Sequence, residues 1–179
     1  MTAPSTACVH DLMEIRLHGI VKESITDGPG IRFTVFTQGC PHQCDGCHNP
    51  ASHSFTDGFL RATSDLTAEM LANPLLDGVT FSGGEPFMQA AECASMAASA
   101  RNAGLNVMVF TGYTWEELLD EARFRKGWRQ LIELTDILIE GRFEKKLRSM
   151  DLRFRGSRNQ RAIDVQTSLQ NGTVVLADL

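Results

Sequence analysis

The sequence lacks any apolar run near the roughly 18 residues that a membrane-spanning helix needs. Its first ten residues have neither the basic start and apolar stretch of a secretory signal nor the composition of a transit peptide. Basic charge is also scarce, because the formal net charge is -5. Since phosphate binding needs a basic face, nucleic acid is not expected as a partner. These absences predict a cytoplasmic protein that works without a membrane.

Only five cysteines are present, and a cytoplasmic chain is expected to keep them as free thiols or metal ligands rather than disulfides. Cys8 lies near the start of the chain, and Cys93 lies in an Ala-rich stretch with a helical pattern. Both are expected to be ordinary thiols. The other three fall within eight positions and no second group follows, so the sequence predicts a single metal or cluster centre.

The 179 residues, of which 42% are apolar, suffice for one domain with a substantial core. We expect residues 1–12 to form a flexible leader and residues 13–179 to form the domain. Its last part, residues 141–179, is expected to be a basic segment that closes with a short hairpin. The turn of that hairpin is predicted at Asn171-Gly172.

Strand and helix patterns alternate along the chain. Strands are predicted at residues 14–21, 31–37, 77–81, 106–111 and 136–140, and helices at 67–73, 87–103, from 114 onward and up to 134. Such alternation implies parallel strands joined by right-handed crossovers. There are too few repeats for a closed eightfold barrel. The predicted fold is therefore α/β, a partial open (β/α) barrel with a mostly parallel sheet.

The segment that organises the chain is Gly39–Pro50, which carries the spacing C-x-x-x-C-x-x-C at Cys40, Cys44 and Cys47. Thiolates are soft ligands, and one short loop with three of them can wrap one corner of a metal or cluster. A structural zinc site and an electron-carrying [4Fe-4S] cluster both use four protein ligands. Three thiolates leave one iron of a [4Fe-4S] cluster open, which is an arrangement for catalysis.

Three other interpretations of this loop stay open. A zinc ion with a Cys3His set would recruit His42 or His48, although zinc ligands usually come from two separated pairs. Residues 44–48 match C-x-x-C-H, the attachment site of a c-type haem, which leaves Cys40 unexplained. The third interpretation is a set of buried or redox thiols without a metal.

The cysteine spacing resembles the cluster loop of radical S-adenosylmethionine (SAM) enzymes. Residues 27–33, Asp-Gly-Pro-Gly-Ile-Arg-Phe, and residues 48–50, His-Asn-Pro, resemble the glycyl-radical-enzyme activases of that superfamily. Within it, residues 138–143 and 155–160 are similar to the activators of anaerobic ribonucleotide reductases. The resemblance implies the same partial barrel, a [4Fe-4S] cluster held by the three cysteines, and SAM as cosubstrate.

A second loop, Ser82–Pro86, follows the predicted third strand and contains Gly83, Gly84 and Glu85. Loops at the carboxyl ends of neighbouring parallel strands converge, so we expect this loop beside the cysteine loop. By itself it could be a strand-to-helix turn with an acid at the helix start. The resemblance implies that it binds the amino group of SAM. It also implies that Gly46, Cys47 and His48 lie against the adenine.

The activity implied by the resemblance is reductive cleavage of SAM. The resulting 5′-deoxyadenosyl radical removes a hydrogen from a glycine of the partner and leaves a glycyl radical. The implied partner is the large subunit of the anaerobic ribonucleotide reductase, with a low-potential donor such as flavodoxin or ferredoxin supplying the electron. Two alternatives are an activase of formate acetyltransferase or another glycyl radical enzyme and, more distantly, a zinc-binding interaction module.

Basic residues concentrate late in the chain. Between residues 142 and 161 lie 8 of the 17 basic residues, opposed only by Glu144 and Asp151. This segment is interpreted either as a solvated surface or as a face for an acidic partner or nucleotide.

Overall fold

The computed structural model describes residues 13–179, so the predicted leader and Cys8 lie outside the described residues. The described chain forms one seven-stranded sheet and five α-helices. The strands are β1 (Glu14–Ser24), β2 (Arg32–Thr37), β3 (Phe59–Ala62), β4 (Gly78–Gly83), β5 (Asn106–Phe110), β6 (Ile137–Glu140) and β7 (Arg161–Asp164). The helices are α1 (Thr63–Leu71), α2 (Ala90–Asn102), α3 (Trp115–Glu121), α4 (Trp128–Leu134) and α5 (Val165–Asn171).

The sheet has the strand order β3-β1-β2-β4-β5-β6-β7. Its centre is parallel, since β2, β4, β5 and β6 pair side by side in the same direction. The pairs β1–β2, β1–β3 and β6–β7 are antiparallel. In the part of the chain that is described, β3 and β7 are the two edges and the sheet is open. The α/β class is confirmed, and the sheet is mixed, with antiparallel strands flanking a parallel centre.

The main core lies between the sheet and helices α1, α2 and α4. Val79, Phe81, Val107 and Val109 are completely buried on the helix side of the central strands. Met108, between the two valines of β5, is buried in a smaller cluster on the opposite face. The continuous apolar run of β5 is therefore explained by cover on both faces, as its sequence predicts.

Two predicted elements need correction. Residues 59–62 are not among the predicted strands but form β3, because their backbone pairs with the long strand β1. The hairpin turn at Asn171-Gly172 is wrong: residues 165–171 form α5, which Asp164 caps by accepting a bond from the backbone N–H of Thr167 (3.0 Å). Gly172 ends this helix in the left-handed conformation (φ +68°), where glycine has no steric penalty. The chain beyond it then bridges back to β7.

The Asp-Gly-Pro-Gly segment, residues 27–30, lies before β2 and thus at the amino ends of the parallel strands, opposite the cysteine loop. The buried side chain of Arg32 holds this end together by donating to Thr80 Oγ1 (3.0 Å) and to the carbonyl oxygens of Val79 (2.7 Å) and Asn106 (3.2 Å). Burial lowers the pKa of Arg32 to about 10, which leaves the guanidinium charged at neutral pH. The hydroxyl of Thr80 in turn donates to the carbonyl of Asp27 (2.9 Å), which ties the segment to the same buried contacts.

Replacing Arg32 with Met is expected to lower the free energy of unfolding by about 2–4 kcal/mol, because several buried acceptors lose their donor at once. Urea unfolding followed by circular dichroism measures the change. Arg129→Met is the control, since the exposed pair of Arg129 with Glu133 (3.7 Å) is worth less than about 1 kcal/mol. Equal losses in both variants would contradict the structural role of Arg32.

Candidate cluster and cofactor site

The site lies where the loops that follow the central parallel strands meet. The loops after β2, β4, β5 and β6 all leave the same edge of the sheet, as the carboxyl ends of parallel strands do. One cavity opens between them, and its lining includes Cys40, Cys44 and Cys47 together with Gly83 and Gly84. The structure thus brings the cysteine loop and the glycine loop to a single place.

The cysteine loop is held by its own backbone. Gly39 (φ +99°) and Gly46 (φ +74°) both adopt backbone angles that favour glycine. The N–H of Cys40 donates to the carbonyl of His53 (3.1 Å), which ties the start of the loop to the segment that follows it. Near its end the N–H of Asn49 donates to Cys47 Sγ (3.4 Å). Such N–H···S bonds stabilise a thiolate and are among the contacts that tune iron–sulfur clusters.

The three thiols differ in exposure. Cys40 is buried, whereas Cys44 and Cys47 are partly exposed in the cavity. Burial raises the pKa of Cys40 to about 11, and the nearby Glu85 carboxylate adds to the rise. A thiol in this position releases its proton when a metal binds, because the ligand is the thiolate. The protonated state of Cys40 therefore belongs to the metal-free chain.

Cys93 is separate from this group. It lies in α2, is completely buried in the main core, and its Sγ is 3.8 Å from the carbonyl oxygen of Pro86. Burial raises its pKa well above the ordinary thiol value. Cys93 is thus an inert core residue, as its position in the sequence predicts.

The thiols that line the cavity fit a [4Fe-4S] cluster. Among residues 13–179, no three His, Cys, Asp or Glu side chains converge as they would around one metal ion. A [4Fe-4S] cluster does not need this convergence, because each thiolate binds a different iron. The three thiols that line the cavity are therefore suited to hold such a cluster.

The glycine loop is pressed against the cysteine loop. The N–H of Gly84 donates to the carbonyl of Thr37 (2.7 Å), and that of Glu85 donates to the carbonyl of Gly39 (2.8 Å). A Cβ at Gly84 would stand 2.5 Å from that Gly39 oxygen, and one at Gly83 would stand 2.7 Å from the backbone of Phe36. Both positions need glycine because two backbones touch there. Their exposed sides face the cavity, where a small ligand can reach them.

The carboxylate of Glu85 is completely buried and is engaged by four donors. Oε1 accepts from the N–H of Phe87 (3.0 Å) and from the hydroxyl of Thr111 (2.9 Å). Oε2 accepts from the N–H of Gly112 (2.9 Å) and lies 3.0 Å from His42 Nε2. A carboxylate offers about four acceptor positions, so protein groups use all of them. A direct contact with the amino group of a ligand would require one donor to move.

Of the other predicted residues, His48 lines the cavity and Gly46 lies beside it. His48 is exposed at the edge of the cavity. Gly46 faces the side chains of Lys145 and Phe143, which a Cβ there would approach to 3.2 and 3.5 Å. Phe143 also lines the cavity, although the sequence did not identify it as a site residue. The feature that could have identified Phe143 is its position in the loop after β6, which lies at the same end of the parallel strands as the other loops.

Residues 155–160 hold the loop after β6, and this explains a motif whose role the sequence left open. Asn159 and Gln160 donate from their side-chain amides to carbonyl oxygens of residues 141–142 at 2.8 and 2.9 Å. The hydroxyl of Ser157 accepts a bond from the backbone of residue 144 (3.1 Å). The segment thereby fixes one wall of the cavity.

Most of the basic segment is exposed, and the partly exposed Arg161 is paired with two carboxylates. Its guanidinium contacts the buried carboxylate of Glu140 and donates to Glu116 at 2.8 Å. These two bonds raise the pKa of Arg161 beyond its usual value. Arg161 therefore links β7 to α3 and to the end of β6.

Comparison with protein-family models matches residues 26–163 to a family described as a 4Fe-4S single cluster domain. An anaerobic ribonucleoside-triphosphate reductase-activating protein of Escherichia coli K12 is 30% identical over 80% of this chain and 94% of its own length. A protein of the same name from Enterobacteria phage T4 is 32% identical over 75% of this chain and 85% of its own length. This chain belongs to the family of anaerobic ribonucleoside-triphosphate reductase-activating proteins.

A relative that matches a shorter part of this chain has a different name. The pyruvate formate-lyase-activating enzyme of Clostridium pasteurianum is 36% identical, but over 58% of this chain and 48% of its own length. The matched family region, residues 26–163, contains the cysteine loop, the glycine loop and the loop after β6. The family assignment therefore covers every wall of the cavity. Among the described residues, no helix is long and apolar enough to cross a membrane.

Proposed function

We propose that this protein activates an anaerobic ribonucleotide reductase by cleaving SAM at a [4Fe-4S] cluster and installing a glycyl radical in the partner. The observation that carries the proposal is one cavity lined by three thiols and two bare glycine backbones, in a chain of this family. The four parallel strands with all their loops at one edge support the partial barrel that the cysteine motif implies.

In this proposal Cys40, Cys44 and Cys47 hold three irons of the cluster. When bound and reduced, the cluster supplies the electron that cleaves SAM, and the resulting 5′-deoxyadenosyl radical takes a hydrogen atom from a partner glycine. Among the described residues no further cysteine would reach the fourth iron, because Cys93 is completely buried in the core. That iron would be available to the amino and carboxylate groups of SAM.

The chain's own residues would bind SAM and orient it in the cavity. Gly83 and Gly84 present backbone without side chains to the methionine end of SAM. We assign the adenine to Cys47 and His48, which line the cavity, and to the adjacent Gly46. The side chain of Phe143 lines the same cavity from the loop after β6 and lies next to Gly46.

Glu85 stabilises the glycine loop as a buried acceptor. A contact between its carboxylate and the amino group of SAM would require one of its four donors to move away.

The low-potential electron donor is expected to be a flavodoxin or ferredoxin. Activation of formate acetyltransferase is the second candidate, because one relative is a pyruvate formate-lyase-activating enzyme.

The decisive experiment mixes the reconstituted, reduced protein and SAM with each candidate partner under anaerobic conditions. Electron paramagnetic resonance is expected to show a glycyl radical in the ribonucleotide reductase, with one equivalent of 5′-deoxyadenosine formed per radical. A radical in the lyase alone would transfer the assignment to the second candidate. No cleavage of SAM with either partner would overturn the proposal.

The metal itself separates the remaining interpretations. After anaerobic reconstitution we expect a brown protein with about four irons per chain. A colourless protein with one zinc would indicate the zinc-binding interaction module. A Soret band with covalently attached porphyrin would indicate a c-type haem protein.

A further inference from the structure

His42 occupies the first turn of the cysteine loop, two residues after Cys40. Although the neighbouring residues of the cysteine loop are largely exposed, the side chain of His42 is only 5% exposed. Its ring packs edge-on against Tyr113, with 4.4 Å between the ring centroids. A Cβ at Gly112 would stand 2.3 Å from His42 Cδ2, so residue 112 must lack a side chain for the ring to fit. The imidazole is therefore enclosed by the loop after β5.

Both ring nitrogens have protein partners. Nε2 lies 3.0 Å from Oε2 of the buried Glu85, and Nδ1 accepts from Arg142 Nε (3.2 Å). A guanidinium can only donate and a carboxylate only accept, so the neutral Nε2–H form satisfies both contacts. The ring thereby joins the cysteine loop to the glycine loop on one side and to the loop after β6 on the other.

We propose that His42 is a positioning residue that clamps the cluster-binding loop onto Glu85 and Arg142 and so holds Cys40 and Cys44 in place for the cluster. This inference rests on the proposed cluster and goes beyond it, because both ring nitrogens of His42 are occupied by Glu85 and Arg142 and the residue would act through the loop. A partner of this kind is worth about 10- to 100-fold in metal affinity or activity when it orients ligands. Its removal is expected to loosen the loop while the sheet stays folded.

The test measures the rate at which reconstituted, oxidised protein loses iron to a chelator under anaerobic conditions. His42→Phe keeps a ring against Tyr113 but removes both hydrogen bonds, and we expect iron release to accelerate at least about tenfold. His42→Gln places an amide that can donate to Glu85 and accept from Arg142, and should restore a rate near that of the parent. Arg142→Met, at an exposed position, should accelerate release in the same direction and to a smaller degree.

Thr135→Val is the matched control. Thr135 is completely buried, and its hydroxyl donates to the carbonyl of Leu131 (2.7 Å). It lies just before β6, at the amino ends of the parallel strands and so on the side away from the cavity. This variant loses a buried hydrogen bond without touching the cysteine loop, so its iron release should match the parent. An equal acceleration in Thr135→Val and His42→Phe would overturn the inference, because the effect would then follow global stability.

The outcomes also distinguish this inference from the proposed function. A parent protein that binds no iron–sulfur cluster would overturn the proposed function itself. A parent with a stable cluster and a His42→Phe variant that loses iron at the same rate would overturn only the role of His42. If His42→Phe does not fold, Arg142→Met decides in its place, and parental iron release there overturns the clamp.

Discussion

Replacing Cys44 with Ala is expected to reduce bound iron from about four per chain to less than one and to abolish SAM cleavage. Three thiolates are the minimum that holds the cluster with one iron open, so the loss of one leaves two irons without protein ligands. Cys44 is partly exposed at the cavity, which means that the truncation creates no hole in the core. Iron analysis after reconstitution and 5′-deoxyadenosine assay measure the two effects.

Cys93→Ala is the control for this prediction. Cys93 is completely buried in α2, and we expect its replacement to keep the iron content and the SAM cleavage of the parent. Its cost is a small cavity, on the order of 1 kcal/mol in the free energy of unfolding. Full cleavage in Cys44→Ala, or loss of iron in Cys93→Ala, would show that the ligands have been misassigned.

Replacing Gly84 with Ala is expected to lower the rate of SAM cleavage by about 100-fold, the loss that a displacement of about 1 Å at a reacting site produces. The new methyl group would stand 2.5 Å from the carbonyl oxygen of Gly39, which is backbone and cannot swing away. The glycine loop and the cysteine loop must therefore separate, and the bonds between them lengthen. Single-turnover kinetics with SAM measure the effect.

Gly19→Ala is the matched substitution for Gly84→Ala. Gly19 lies in β1, and a Cβ there meets nothing within 4 Å. The change should leave cleavage unaltered and the free energy of unfolding within about 1 kcal/mol of the parent. Equal rates in the two alanine variants would show that the close approach of the two loops is not needed for the reaction.

The sequence predicted the central part of the fold because local signals and tertiary packing agree there. The capping box at Thr114 starts α3, and its two reciprocal hydrogen bonds are both present. The apolar run of β5 is buried on both faces. At the chain's last segment a local signal misled, because Asn-Gly suits both a hairpin turn and the end of a helix. The cap at Asp164 decided for the helix.

The sequence by itself determined which groups are present: three thiols in one short loop, a pair of glycines, and the alternation that places both loops at the carboxyl ends of parallel strands. Those features are local, so spacing and residue type are enough to recognise them. Only the tertiary structure decided how the loops hold one another. The four bonds of Glu85, the two contacts of the His42 ring and the bonds of residues 155–160 join segments up to 100 residues apart. No local pattern encodes such contacts, because they exist only once the strands have brought their ends together.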